Sequence, residues 1–488
     1  MMFRKYSLIS FMLGILLVMP AAASAQASGC VTFSRDISFG ATGSEVTKLQ
    51  TFLKDRGYFS AAPVARFGPA TVAAVRAFQR SNGISATGTV GPVTRAAIRS
   101  VSCGTAGSGG TGVSGAFEVT GWIPYWRSAT GTRDVLPHLD DITEVNPFVF
   151  TIKSDGTLLD NGSLNEEPWL SFIAAAKAKK VRVIPTVMTG NGDLLHEILS
   201  DTKKRIALED TIAKMVKDGG YDGVDIDFEG KKAADKDNFS TFLKGLYQRM
   251  GNKWVMCTIE SRTPLDSRYY GTTIPPDAEI YANDFKEINK YCDRVRVMTY
   301  EQQNIDLQLA AQAASSSQIY APVADPAWVE KVITLMKKDI KPSKLLIGVP
   351  TYGYEYDVTA YAGNQYIYDI LWTFNPGYAI PLAAQYGVTP QRNAAGEMYF
   401  TYVANAPTSS PPVSLGPNSA ALAAAAASQY ATQYNSHLGF RLVDWPDAES
   451  ISQKVALAKK LGVRGISIFK WDGGEDPGMW KVLEGVKK

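Results

Sequence analysis

The sequence predicts an α/β fold: a closed (β/α)8 TIM barrel with a small α+β insertion, preceded by a small three-helix domain. Three observations carry this expectation. Short apolar segments alternate with helical ones from residue 116 to 488, the pattern of parallel βαβ units. One of these segments, Asp222–Glu229, bears a row of acids and ends in Glu229, and catalytic groups of such barrels gather at the C-terminal ends of strands. A Gly/Ser/Thr stretch, residues 104–115, lacks apolar periodicity and reads as a flexible linker between a small module and a large one.

The chain opens with Arg4 and Lys5, an apolar run from Leu8 to Met19, then Pro20 and Ala23-Ser24-Ala25. Residues 1–25 thus have the charged start, short apolar middle and small-residue end of a signal peptide cleaved after Ala25. The run is too short to span a bilayer comfortably, so a secreted or cell-envelope protein with no stable membrane insertion after cleavage is expected. Export permits disulfides. Cys30 and Cys103 bracket the first folded segment, residues 26–103, and are expected to pair, stabilising it by roughly 3–4 kcal/mol through chain entropy. Cys257 and Cys292 lie in or beside consecutive predicted strands; they either pair or remain buried thiols.

Within residues 26–103, Val46, Leu49 and Leu53 have helical spacing after Gly43-Ser44. An internal echo follows, Gly68-Pro69-Ala70-Thr71-Val72-Ala73-Ala74-Val75 against Gly91-Pro92-Val93-Thr94-Arg95-Ala96-Ala97-Ile98. Each copy places Pro at a first helical position, where its missing N–H costs nothing. Three short helices result. The pattern Gly40…Gly43, Leu49-Gln50, Leu53, Gly57-Tyr58, Phe67-Gly68, Thr71, Val75, Phe78-Gln79, Gly88 and Gly91 resembles the type 1 peptidoglycan-binding domains.

Candidate barrel strands are Phe117–Pro124, Glu144–Thr151, Val181–Val187, Asp222–Glu229, Trp254–Glu260, Arg294–Tyr300, Leu345–Tyr352 and Gly465–Trp471. The connection from Tyr352 to Gly465 is too long for one helix. It holds a Tyr-rich segment, a strand-like Met398–Tyr402, an Ala-rich helix around Ala420–Ala427 and Phe440–Val443, and reads as an α+β insertion over residues 355–446 forming one wall of a groove.

Side chains alternate faces along a strand. Val224, Ile226 and Phe228 therefore point one way, and Asp225, Asp227 and Glu229 the other. Acids inside a strand buried on both faces are costly. Their repulsion raises at least one proton affinity, and a neutral carboxylic acid at working pH is what a general acid needs. A calcium loop fits poorly, because the intervening residues are Ile226 and Phe228 and the twelfth position is Lys236. With only His138, His196 and His437 and no paired His spacing, zinc or Ser-His machinery is not expected. Lys+Arg 50 against Asp+Glu 47 gives no basic surface for nucleic acid.

Asp222, Asp225, Asp227 and Glu229 match DxxDxDxE, and the segment resembles glycoside hydrolase family 18. That resemblance implies Glu229 as proton donor and Asp227 as the group orienting the substrate's N-acetyl arm. Met298-Thr299-Tyr300-Glu301 is similar to the family's Met-x-Tyr-Asp, so Tyr300 would support the acetamido oxygen, while Glu301 departs from the usual Asp. Trp471 would floor the sugar subsite, with Tyr125, Trp126, Tyr352 and Glu260 as wall residues and Met298 beside them. Asp227 and Glu229 stand too close to flank a glycosidic bond as an acid–nucleophile pair, which points to substrate assistance. Neither metal nor other cofactor is needed for that chemistry.

Pro322–Glu330, Gly348–Tyr354 and Trp471–Pro477 resemble the spore-germination, cortex-lytic branch of the family. Peptidoglycan, or another N-acetylglucosamine-containing glycan, is therefore the expected partner, and a monomer is the expected state. A chitinase and a non-catalytic wall-binding protein are the rival expectations.

Overall fold

The computed structural model describes residues 31–33, 35–81, 86–91, 94–95, 97–98, 102, 116–316, 318–403 and 419–487. The expected signal peptide, the linker and the Cys30–Cys103 pair lie outside these residues.

In the N-terminal module, helices span Ser44–Asp55 and Pro69–Ser81, and Thr94, Arg95, Ala97 and Ile98 are also helical. The first two bury Leu49, Phe52 and Leu53 against Val75 and Phe78, with Phe52 edge-on to Phe78 at 5.4 Å. Each also buries a glutamine that secures the loop after it. Gln50 bonds Thr71, the Arg66 carbonyl and the Val64 N–H; Gln79 bonds the Thr89 carbonyl and the Gly88 N–H. A buried amide that finds all these partners specifies the loop path as well as satisfying itself.

The large unit begins with β1 (Glu118–Pro124), β2 (Glu144–Ile152) and its hairpin partner β3 (Leu158–Asp160). Next come β4 (Arg182–Val183), β5 (Thr186–Thr189), β6 (Gly223–Phe228), β7 (Trp254–Glu260), β8 (Arg294–Met298) and β9 (Leu345–Pro350). The expected single strand Val181–Val187 is split at Ile184-Pro185, where proline has no N–H to give the ladder. After β9 the chain builds a separate sheet from β10 (Gly353–Tyr361), β11 (Gln365–Phe374), β12 (Gln391–Arg392), β13 (Met398–Tyr402) and β14 (Leu438–Trp445). It returns as β15 (Gly465–Phe469).

Parallel pairing runs β1-β15-β9-β8-β7-β6-β5-β2, and β1 also pairs with β2, so the ring closes as a barrel of eight strand positions. Outward residues such as Val224, Ile226, Val255, Val295, Val297 and Ile347 pack under the surrounding helices with Phe239, Phe242, Val329 and Ile333. The insertion is an antiparallel sheet in the order β11-β10-β14-β13-β12, covered by helix Ser419–Tyr434. Its strands run from Gly353 to Trp445.

Cys257 on β7 and Cys292 just before β8 form a disulfide, which settles the open alternative in favour of pairing. Both are fully buried.

Candidate active site

The barrel interior is unusually ionic. At its N-terminal end Glu118 meets Arg182, Arg294 and Arg464. Arg182 also meets Glu144, Glu144 meets Arg296, and Arg296 reaches Asp225 at 2.6 Å. Opposite charges thus alternate up the barrel axis to the first acid of the row. Buried charges are tolerated where each has a counter-charge and hydrogen bonds.

Asp225 is fully buried. Its Oδ2 accepts from Trp122 Nε1 at 3.0 Å and Thr186 Oγ1 at 2.9 Å, and Oδ1 accepts from Thr258 Oγ1 at 2.9 Å. Asp222 sits below the row and accepts from the Val183 N–H at 2.8 Å, tying β6 to β4; its role is architectural.

Asp227, one layer nearer the mouth, is buried and has an Oδ1 without a hydrogen-bond partner among the described residues. Burial first, then Glu229 and Asp225, holds its carboxyl well above the usual carboxylate range, with Lys231 opposing. Glu229 is half-buried just past the strand end, its N–H bonded to the Thr189 carbonyl. Burial, followed by Glu260 and Glu301, raises it, again against Lys231. The loops after β5 and β6 close behind it: a Cβ on Gly192 would lie 2.2 Å from the Gly230 carbonyl oxygen, so this approach requires glycine.

Tyr300 is buried two residues beyond β8, and its phenol is pushed well above its ordinary value by burial, then by Asp227 and Glu229. It therefore stays a hydrogen-bond donor. A Cβ on Gly348 would fall 2.9 Å from its ring, so β9 leaves it room. Glu301 is exposed with φ 59°, and accepts from the Tyr352 hydroxyl at 3.2 Å. Met298 is half-buried and packs with the Tyr300 cluster. Tyr125 and Trp126 are exposed after β1, edge-on to one another at 4.9 Å, with Trp126 next to Phe148.

Trp471 corrects the expectation of a sugar floor. It is fully buried, stacked on Trp480 at 5.7 Å, and a Cβ on Gly121 would lie 2.9 Å from its indole. β15 ends at Phe469; by Trp471 the chain has turned back into the core, with its N–H on the Trp122 carbonyl. Phe469 takes the position at the mouth, half-buried, stacked on Tyr300 at 5.7 Å and edge-on to Trp122, Phe148 and Tyr352.

The groups around Asp225 (the donors Trp122, Thr186 and Thr258, and the ion-pair partner Arg296) were also not singled out from sequence. A signal existed in β8, whose Arg294-Val-Arg296-Val alternation puts two cations on the face opposite its apolar one. Among the described residues no group of three His, Cys, Asp or Glu could hold a metal ion, and no helix is long and apolar enough to cross a membrane.

A closed parallel barrel with acids gathered at the C-terminal end of a strand is the arrangement of a barrel enzyme. The comparisons name it: residues 121–474 match the glycosyl hydrolases family 18, and the chain belongs to that family. Residues 42–98 match the putative peptidoglycan binding domain. Curated relatives include an uncharacterized glycosylase, YvbX, of Bacillus subtilis (strain 168), 24% identical over 229 residues, or 45% of this chain and 61% of that protein. The cortical fragment-lytic enzyme of Bacillus cereus is 23% identical over 372 residues, covering 74% and 71% of the two chains. The match thus spans less than two thirds of YvbX but more of the cortical enzyme. Among solved structures, the Bacillus cereus spore cortex-lytic enzyme SleL aligns with a TM-score of 0.55 at 18% identity, covering 77% of this chain and 75% of that one, and shares the fold.

Proposed function

We propose that this glycosidase is exported and cleaves β-1,4 bonds beside N-acetylglucosamine in peptidoglycan, with retention of configuration and with help from the substrate's own acetamido group. The observation that carries the reading is the placement of Asp227. It is a buried carboxyl with an unpartnered oxygen, held between an acid already engaged by four side chains and a half-buried Glu229 at the mouth.

In the proposed reaction Glu229 gives its proton to the leaving glycosidic oxygen as the bond to C1 breaks. The acetamido carbonyl oxygen attacks C1 and forms an oxazolinium ion, with Asp227 orienting the amide and the Tyr300 hydroxyl donating to the acetamido oxygen. Glu229, now a carboxylate, takes a proton from water as its oxygen bonds to C1 and the oxazolinium ring opens. The two displacements together give retention. Phe469, flanked by Tyr300 and Tyr352, supplies the apolar floor for the sugar.

Peptidoglycan is favoured by the N-terminal module and by the cortical relative, itself described as acting on cortical fragments. A chitinase is the second reading, supported by a 23% identity over 321 residues to the class V chitinase CHIT5a of Medicago truncatula. Mass spectrometry of fragments released from purified peptidoglycan separates the two, because it reports the bond cut and the sugar at the new reducing end. Soluble muropeptides ending in N-acetylglucosamine support the proposal; release from chitin alone transfers it to the chitinase.

A further inference from the structure

Asp225 and Asp227 are successive inward residues of β6, and such neighbours would ordinarily hydrogen-bond or share a proton. Here that arrangement is blocked from below. Asp225 already receives Trp122 and Thr186 on one oxygen and Thr258 on the other, and the Arg296 guanidinium lies 2.6 Å from that second oxygen. Arg296 is itself 1% exposed. It lies 5.2 Å over the Trp122 ring and is bound on its far side by Glu144, which is shared with Arg182 and Asn146. The buried cation is hydrogen-bonded to Glu144 and ion-paired with Asp225, which places it between the two carboxylates.

We propose that Arg296 is a positioning residue for the reaction: it occupies Asp225 from the barrel interior, leaving Asp227 without a partner on that side, so the Asp227 carboxyl serves Glu229 and the substrate. The inference rests on the assignment of Asp227 and Glu229 made above. Two features of the site agree with it. Asp227 Oδ1 is buried without a hydrogen-bond partner among the described residues. Glu144 and Arg182 then connect the same column to Glu118 at the base, so the Arg296 charge is compensated away from the mouth.

The groups around Asp227 are Asp225 and Glu229 on its own segment, Lys231 beyond it, Glu260 from β7 and Tyr300 just past β8, with Arg296 on β8 and Glu144 on β2 on the far side of Asp225. Changing the charge at either end of the Arg296–Glu144 pair must therefore move the proton affinity of the acid row, and in opposite directions. Arg296→Met removes a positive charge below the row. The alkaline limb of the kcat/KM profile on a fluorogenic chito-oligosaccharide should rise by about one pH unit, a tenfold change at fixed pH on that limb. Glu144→Gln keeps shape, leaves Arg182 its second partner Glu118 at 3.3 Å, and frees Arg296 to act on Asp225 alone. Its limb should fall.

Should Arg296→Met lose the fold, Glu144→Gln decides the matter with folding checked by circular dichroism. A folded Glu144→Gln enzyme whose limb superposes on the wild type overturns the role of Arg296 while the enzyme's activity stands. A wild type that cleaves no N-acetylated glycan instead overturns the acid-row assignment, and this inference with it.

Discussion

Lys231 Nζ lies 3.1 and 3.2 Å from the two carboxylate oxygens of Glu260, with its side chain almost wholly buried, two residues past Glu229. It also bonds the Phe228 carbonyl, and Asn283 donates to the same Glu260 carboxylate at 2.7 Å. A third acid thus stands at the mouth of the barrel with a cation beneath it. Lys231 opposes the rise of both Asp227 and Glu229, whereas Glu260 adds to it.

Removing that cation should leave the catalytic acid protonated to higher pH. In Lys231→Met the alkaline limb of kcat/KM is expected to move up by about half to one pH unit, and in Lys231→Arg to stay in place. Full pH profiles on a soluble chito-oligosaccharide measure this. An unmoved limb in the Met variant would remove Lys231 from the acid's environment.

Glu229→Gln keeps shape but cannot transfer a proton, so turnover should drop by at least 10²–10⁴-fold, roughly the range for lost general acid–base catalysis. Its effect on stability has a definite pH dependence. Burial raises the Glu229 carboxyl above its unfolded value, so the folded state holds the proton more tightly and loses stability as pH rises through the window between the two values. The Gln variant escapes that loss. Its melting temperature should equal the wild type's at low pH and exceed it above that window, and near-normal hydrolysis at any pH would sink the assignment of Glu229.

Asp227→Asn should impair hydrolysis of N-acetylated glycans and weaken binding of a thiazoline that mimics the oxazolinium ion. Calorimetry across wild type and variant tests it. Equal thiazoline affinity in the two proteins would be incompatible with substrate assistance through Asp227.

The Cys257–Cys292 disulfide closes a loop of sequence separation 35 and joins β7 to the start of β8. On the chain-entropy account a Cys257→Ala/Cys292→Ala protein should lose roughly 3–4 kcal/mol of unfolding free energy. Denaturant midpoints, with an unchanged slope, report it. Because both sulfurs are fully buried, reductant added to the folded protein should act only as fast as the region opens.

If the N-terminal module serves to hold the barrel near an insoluble wall, deleting residues before Gly115 should reduce activity on whole sacculi and leave rates on short soluble oligosaccharides nearly unchanged. Equal loss on both substrates would show instead that the module contributes to catalysis itself.

Much of this was legible in the sequence, for identifiable reasons. The barrel strands announce themselves because strands buried on both faces read as apolar runs, and β7 falls on the expected Trp254–Glu260. The acids stand out because carboxylates are rare in such runs. Trp471 misled because the candidate strand Gly465–Trp471 runs two residues past Phe469, where the sheet ends and the chain folds back onto Trp122, so the resemblance was placed on the wrong aromatic. Arg296 and Thr258 were missed because their meaning lies across the barrel: each is ordinary on its own strand and becomes informative only once β6, β7 and β8 are side by side. The Cys257–Cys292 pairing likewise needed the Cα separation of 5.9 Å that the folded strands set.

Only Thr351 and Tyr352 separate β9 of the barrel from β10 of the insertion. The far end of β11 is tied back through Asn375 to Lys470 and Asp472, and Glu397 receives the N–H groups of Val323 and Ala324. The insertion is therefore spliced into the barrel at several separate places rather than hung on one hinge. If this sheet walls the cleft of the proposed reaction, a glycan meets a mould set at folding, and discrimination between chains comes from which sugars fit it as it stands.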